Sequence, residues 1–336
     1  MSGESIGPYR ILEPLREGGA TAVFKAADAG GRTVALKVFS PGLAADPTAA
    51  PQATEPRSPE PAAAAQGPQA EIVARFHREI AAVSELRHPN ILQVFATGED
   101  GGRLYLASEL FSGLSLERLL KQRRLQPAEA VAVMRGICRG LSYAHQRGFA
   151  HGHLSPRHVL VDGVLAQVKV ADFGPSESEV FAAMDSTLRT GMLTLGALHY
   201  LAPEQAERRG AGGPGRVDPR SDLYAAGVIF HEMLTGRAPG GKFTLPSHGN
   251  ADLPPAADVL VLKCLNRDPA QRYASAAALL ADLDKLEEAL RVRLLTHLRG
   301  ISRLFPASGA GRRALLAAAL ALLLAALLVA GYLVLR

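Results

Sequence analysis

Three imidazoles fall within one eight-residue stretch, at His151, His153 and His158 in His-Gly-His-Leu-Ser-Pro-Arg-His. A carboxylate follows at Asp172, in Ala-Asp-Phe-Gly. An imidazole titrates near pH 6.5, so His153 could accept a proton from a substrate. Imidazoles together with a carboxylate also suit a transition metal. Two further charged side chains stand far upstream. Lys37 closes the apolar run Val34-Ala35-Leu36-Lys37, and Glu79 sits in Arg75-Phe76-His77-Arg78-Glu79.

The elements that must position these groups change character along the chain. Tyr9-Arg10-Ile11-Leu12, Ala22-Val23-Phe24-Lys25-Ala26 and Thr33-Val34-Ala35-Leu36-Lys37-Val38 have strand-like patterns. Residues 41–69 are rich in Pro and Ala and have no period, which predicts a disordered insertion. Residues 70–87 then place Ile72, Phe76, Ile80 and Val83 on one helical face. Strands are expected at 91–96 and 103–110, joined by a Gly98-Glu99-Asp100-Gly101-Gly102 turn. Beyond them the chain reads as helical, with helices at 115–121 and 127–147 leading into the histidine stretch.

At 336 residues and 48% apolar the chain can bury a full core, and its length would allow two domains. Lys and Arg number 37 against 32 Asp and Glu, and several Arg cluster late, so the folded body is close to neutral. No basic stripe with interleaved aromatics occurs, which argues against nucleic acid as a partner. Cys138 and Cys264 stand alone in apolar helical patterns and read as core residues of a reducing compartment. The first residues lack a secretory apolar run. Residues 314–335 are a run of 22 apolar residues between Arg312-Arg313 and Arg336, which predicts a transmembrane helix. The arginines of the basic stretch 287–313 would then place the large N-terminal part in the cytoplasm. The expectation is a single-pass protein with a C-terminal tail anchor, its basic linker able to rest on anionic head groups.

The histidine stretch resembles the catalytic loop of eukaryotic-type protein kinases, His-Arg-Asp-Leu-Lys-Pro-x-Asn followed by an apolar strand. His151, Leu154 and Pro156 match; His153, Ser155 and His158 replace Asp, Lys and Asn, and Gly152 replaces Arg. Residues 15–23 are similar to the family's glycine-rich loop, with Gly18 kept and Arg16 and Thr21 at the other two glycine positions. Lys37, Glu79 and His88-Pro89-Asn90-Ile91 match in order. So do Ser108-Glu109-Leu110-Phe111 at the adenine-binding connection, Asp172-Phe173-Gly174, and Ala202-Pro203-Glu204 with Arg272. Tyr200 to Gln205 is similar to bacterial receptor-type Ser/Thr kinases, and Ser221 to Val228 resembles the family's buried central helix. The resemblance covers residues 6–286. It implies an α+β, bilobal kinase fold with an N-lobe at 6–110 and a C-lobe at 111–286, to which the expected C-terminal transmembrane helix is added.

The resemblance also implies roles. ATP would sit between Val23, Ala35 and Leu160, beside Glu109 and Phe111 and under the Gly18 loop. Lys37, paired with Glu79, would hold phosphates, and Asp172 one magnesium ion. Without a nucleotide, the same residues would form a salt bridge and a turn. His151 would be a packing residue, stacked with Val83, Val94 and Phe173 above Asp222. The groups that act on the transferring phosphoryl are altered. His153 stands at the catalytic Asp, Ser155 removes a lysine, and His158 offers nitrogen where hard Mg²⁺ prefers oxygen. Ala197 stands where Ser/Thr members carry Thr, and Gly152 removes the receptor for an activation-segment phosphate on Ser186, Thr187 or Thr190. The expected function is a pseudokinase on the cytoplasmic face of a membrane, a scaffold or nucleotide sensor for active kinases or other signalling proteins. The alternative is a slow Ser/Thr kinase with His153 as base.

Overall fold

The computed structural model of the protein describes residues 4–16, 21–39, 68–175, 198–210, 218–240 and 243–304. Four strands open it: β1 (Ser5–Ile6), β2 (Tyr9–Arg16), β3 (Thr21–Ala27) and β4 (Thr33–Phe39). Helix α1 (Pro68–Ser84) follows, then β5 (Val94–Asp100) and β6 (Arg103–Glu109). These six strands form one antiparallel sheet in the order β1-β2-β3-β4-β6-β5.

Period-2 alternation sorts the sheet's side chains. Val23 pairs Lys37, which pairs Leu106, while Ala35 pairs Ser108 in the next register. All five therefore share one face. The opposite face buries Phe24, Leu36, Val38 and Ala107 against Ile6, Tyr9 and Ile11. The β5–β6 turn is tighter than the glycines at 98–102 predict. The strand runs on to Asp100, which pairs Arg103, and the chain reverses on Gly101 and Gly102 at φ 55° and 74°. Positive φ at both central residues suits the right-handed twist of a two-residue hairpin, so the reversal needs no more than these two glycines.

The large lobe begins with β7 (Leu114–Ser115), α2 (Leu116–Gln122) and α3 (Pro127–Gln146). Strand β8 (Val159–Val161) pairs with β7 on one side and with β9 (Val168–Val170) on the other, in a small antiparallel sheet. Helices α4 (Pro203–Gly210), α5 (Pro219–Thr235), α6 (Pro255–Cys264) and α7 (Ala276–Leu304) complete it. Helix α3 comes so close to the turn after α1 that a Cβ on Gly140 would sit 2.6 Å from Asn90 O. That turn also ties the lobes together. Asn90 Nδ2 donates to Val168 O at 2.8 Å, and Leu92 N to Val170 O at 2.9 Å. Cys138 and Cys264 are buried and free, as their apolar surroundings imply.

The chain divides into two compact units, residues 1–287 and 288–336, and the first holds both lobes. Among the described residues no helix is long and apolar enough to cross a membrane. Helix α7 is 29 residues long, but charged side chains recur along its length, as in Asp-Leu-Asp-Lys-Leu-Glu-Glu. This corrects the expected fold class: the described residues form the bilobal body and include no transmembrane helix. It also removes the support for the tail anchor and for the membrane localisation drawn from it. The expected span, 314–335, lies outside the described residues. So do the expected insertion apart from its last two residues, Gly18, and the activation-segment positions Ser186, Thr187, Thr190 and Ala197.

Candidate functional site

Between the sheet and the helical lobe lies a cavity of about 850 Å³. Its roof is the sheet face already described, with Val23, Ala35, Lys37 and Ser108; Leu160 on β8 forms the floor. Glu109 and Phe111, where the chain crosses between lobes, close one side, and His153, Ser155, His158 and Asp172 the other. Ten of the site residues expected from the sequence thus share one cavity. Glu79 is half-buried on α1, whose Phe76, Ile80 and Val83 line the cavity instead. Ser108 is small, and the space continues past it to these α1 side chains.

The β8–β9 hairpin brings the reactive groups together. His158 ends just before β8 and Asp172 begins just after β9, and Val159 pairs Val170. Ala171 N donates to His158 O at 2.8 Å, so the two ends of the hairpin lie side by side. Asp172 takes a left-handed backbone, φ 61°, a conformation that costs a non-glycine residue energy and often marks a functional turn. Its Oδ1 accepts from Lys37 Nζ at 3.1 Å. Its Oδ2 is 4.0 Å from His158 Nε2. Burial alone would raise the Asp172 carboxyl, but Lys37 and His158 outweigh it and hold the group well below the usual carboxylate range.

The catalytic-loop segment hangs from a buried anion. Asp222, in the first turn of α5, accepts from His151 N and from Gly152 N, each at 2.8 Å, and His145 Nε2 lies 2.8 Å from the same carboxylate. A helix N-terminus favours negative charge there. His151 is 2% exposed and its ring lies tilted against Phe173 at 4.9 Å between centroids, which is the part of the expected stack the ring contacts show; Val83 and Val94 are buried and line the same cavity. The imidazoles of His151, His153 and His158 form a triangle with centroids 4.6, 5.0 and 5.4 Å apart. Burial, followed by the neighbouring His153, lowers His151 to about 4; burial, followed by His158, lowers His153 to about 3. An imidazole so depressed is a weak proton acceptor, far from the near-neutral value that suits a general base.

Two features were not found from the sequence. Lys169 reaches from β9 to Glu109 Oε1 at 2.7 Å, and Gln93 N donates to the same oxygen at 2.8 Å. The Glu109 side chain is thus engaged in holding the connection between lobes. His145 beneath Asp222 is the second. Its position in the last turn of α3 is visible in sequence, but its partner, 77 residues on, is not.

A family model described as the protein kinase domain matches residues 62–282. The chain belongs to the protein kinase family. Serine/threonine-protein kinase PknL of Mycobacterium tuberculosis is 33% identical over 300 residues, covering 84% of this chain and 66% of that protein. PrkC of Bacillus subtilis is 31% identical over 303 residues, 85% of this chain and 41% of that protein. The chain spans less than two thirds of the length of these relatives. The crystal structure of the Mycobacterium tuberculosis PknI kinase domain superposes with a TM-score of 0.62 at 24% identity, covering 85% of this chain and 98% of that one. That likeness shows the fold alone.

Kinase catalysis consists mainly of positioning ATP and magnesium and stabilising charge on the transferring phosphoryl. The cavity fits a nucleotide in volume and in its apolar walls. Lys37 could meet its phosphates, and Asp172 could give one oxygen to one magnesium ion. The second ion finds a poorer fit, because His158 presents nitrogen where the kinase family presents an oxygen.

Proposed function

We propose that this chain is a kinase-fold signalling module that holds a nucleotide in its cleft without passing on the γ-phosphate. The observation that carries the reading is the side chain at the base position. His153 is packed against His151 and His158, and among the described residues the carboxylates that act on these rings, Asp172 and Asp222, are each engaged elsewhere, with Lys37 and with the loop's own amides. The missing base is worth roughly 10²–10⁴ in rate. Ser155, which is 5% exposed, engages His158 Nδ1 through its Oγ at 3.2 Å and brings no cation to meet a phosphate.

The retained parts support a binding role. Lys37, Asp172, the apolar walls and the His151–Phe173 stack are all assembled, so a bound nucleotide would fasten the two lobes to each other. Such a module works by presenting one of its surfaces to a partner, for which an active kinase or another signalling protein is the class proposed. The test is incubation with γ-labelled ATP, Mg²⁺ or Mn²⁺, and a generic protein substrate. Transfer indistinguishable from that of Lys37→Ala supports the reading. Lys37-dependent transfer at the rate of an active kinase refutes it.

A further inference from the structure

The three imidazoles do more than replace lost groups. One ring nitrogen from each of His151, His153 and His158 can be chosen so that all three lie within 4.8 Å of one another. Nothing in kinase packing requires three rings to converge at one point.

The hydrogen bonds decide which atoms are available. His151 Nε2 is 2.9 Å from Ala171 O, and a carbonyl only accepts, so Nε2 carries the proton. The lone pair then lies on His151 Nδ1, a buried atom without a hydrogen-bond partner. A buried acceptor left this way is costly in a native core. His158 Nδ1 is engaged with Ser155 Oγ at 3.2 Å, and its Nε2 lies 4.0 Å from Asp172 Oδ2. Two ligands of one tetrahedral ion, each about 2.0–2.2 Å from it, stand roughly 3.3–3.5 Å apart. The set, within 4.8 Å as it stands, would have to draw in by roughly 1–1.5 Å to reach that spacing.

We propose that His151, His153 and His158 form a site for a zinc-class divalent cation, with Asp172 or water as fourth ligand. Three imidazoles select a borderline d-block ion over Mg²⁺ or Ca²⁺. Ser155, whose hydroxyl can accept from His158 Nδ1–H, is the kind of outer partner that orients a metal-bound imidazole. The ion would satisfy the orphaned nitrogen of His151 and pin the remnant of the catalytic loop to the Asp-Phe-Gly turn. The site goes beyond the nucleotide-binding reading and does not depend on it, since metal binding and phosphate transfer are measured separately.

The experiment uses the full chain, free of any affinity tag and stripped with chelator. Titration with Co²⁺ should give one equivalent with the intense visible bands of a four-coordinate ion, and Zn²⁺ should displace it. His153→Gln and His158→Asn should each weaken Zn²⁺ binding by at least about 10-fold, since a lost ligand costs no less than a lost outer partner. His248→Gln, on an exposed histidine elsewhere, should leave binding unchanged. A six-coordinate Co²⁺ spectrum, less than one equivalent bound, or equal affinity in folded His153→Gln or His158→Asn would overturn the proposal. The spectrum of the unaltered chain decides the matter even if both variants fail to fold.

Discussion

Lys37 Nζ lies 3.1 Å from Asp172 Oδ1, joining the fourth strand of the small lobe to the Asp-Phe-Gly turn of the large one. The lysine side chain is 13% exposed and the aspartate 30%, so the pair is screened in part. Lys37→Ala leaves Asp172 facing an imidazole without its cation. The expected loss is about 1–3 kcal/mol, less than the ~3–5 kcal/mol of breaking a fully buried pair. Chemical denaturation of the two proteins measures it.

Nucleotide binding should depend on the same lysine. ATP is expected to raise the melting temperature of the unaltered chain and to leave that of Lys37→Ala unmoved. Because Asp172 is the one family-type magnesium ligand retained, added Mg²⁺ should change the ATP affinity by less than about tenfold, roughly 1.4 kcal/mol. Calorimetric titration with and without Mg²⁺ reads this directly.

Arg272, whose side chain is fully buried, grips Glu204 through two hydrogen bonds of 2.7 Å. Arg272→Ala should cost about 3–5 kcal/mol, because it strands a largely buried carboxylate. Burial alone would raise Glu204, but the Arg272 and Ser221 hydrogen bonds outweigh it and hold the group below its ordinary 4.5. A folded value below the unfolded one means that the unfolded chain binds the proton more tightly. The stabilisation is therefore complete above about pH 4.5 and lost as pH falls through the lower folded value. Glu204→Gln should flatten that part of the acid stability curve, measured by denaturant titration at successive pH values.

Asp222 holds the loop through the amides of His151 and Gly152. Asp222→Asn offers one acceptor where the carboxylate offered two, so one buried N–H loses its partner. The expected cost is about 1–3 kcal/mol. Hydrogen exchange should speed up at residues 151–152 before it does in the middle of α3.

Much of this site was readable because kinase motifs carry their own spacing. His151, Asp172, Glu204, Arg272 and Lys37 fall where their neighbours in sequence place them, and the period-2 pattern of β4 already set Ala35 and Lys37 on one face. The Lys169–Glu109 contact was not readable, since a lysine in Val-Lys-Val looks like any outward strand residue until β9 is laid beside the crossing. The β5–β6 turn was drawn too wide because three glycines suggested a longer loop, although the chain reverses on two. The convergence of the imidazoles was visible as a cluster in sequence, but the unpartnered Nδ1 of His151 depends on Ala171 O, which only the folded hairpin supplies. The membrane helix was inferred from an apolar run between arginines at 314–335, which lies outside the described residues, and no described helix supports it.

The most direct test of the central claim puts the lost groups back. The His153→Asp, Ser155→Lys, His158→Asn triple variant and the unaltered chain are compared for γ-phosphate transfer under identical conditions. If the cleft is otherwise assembled, the variant should exceed the unaltered chain by at least about 10²-fold, the contribution of a positioned base. Equal rates in the two proteins, whether both high or both absent, would contradict the account.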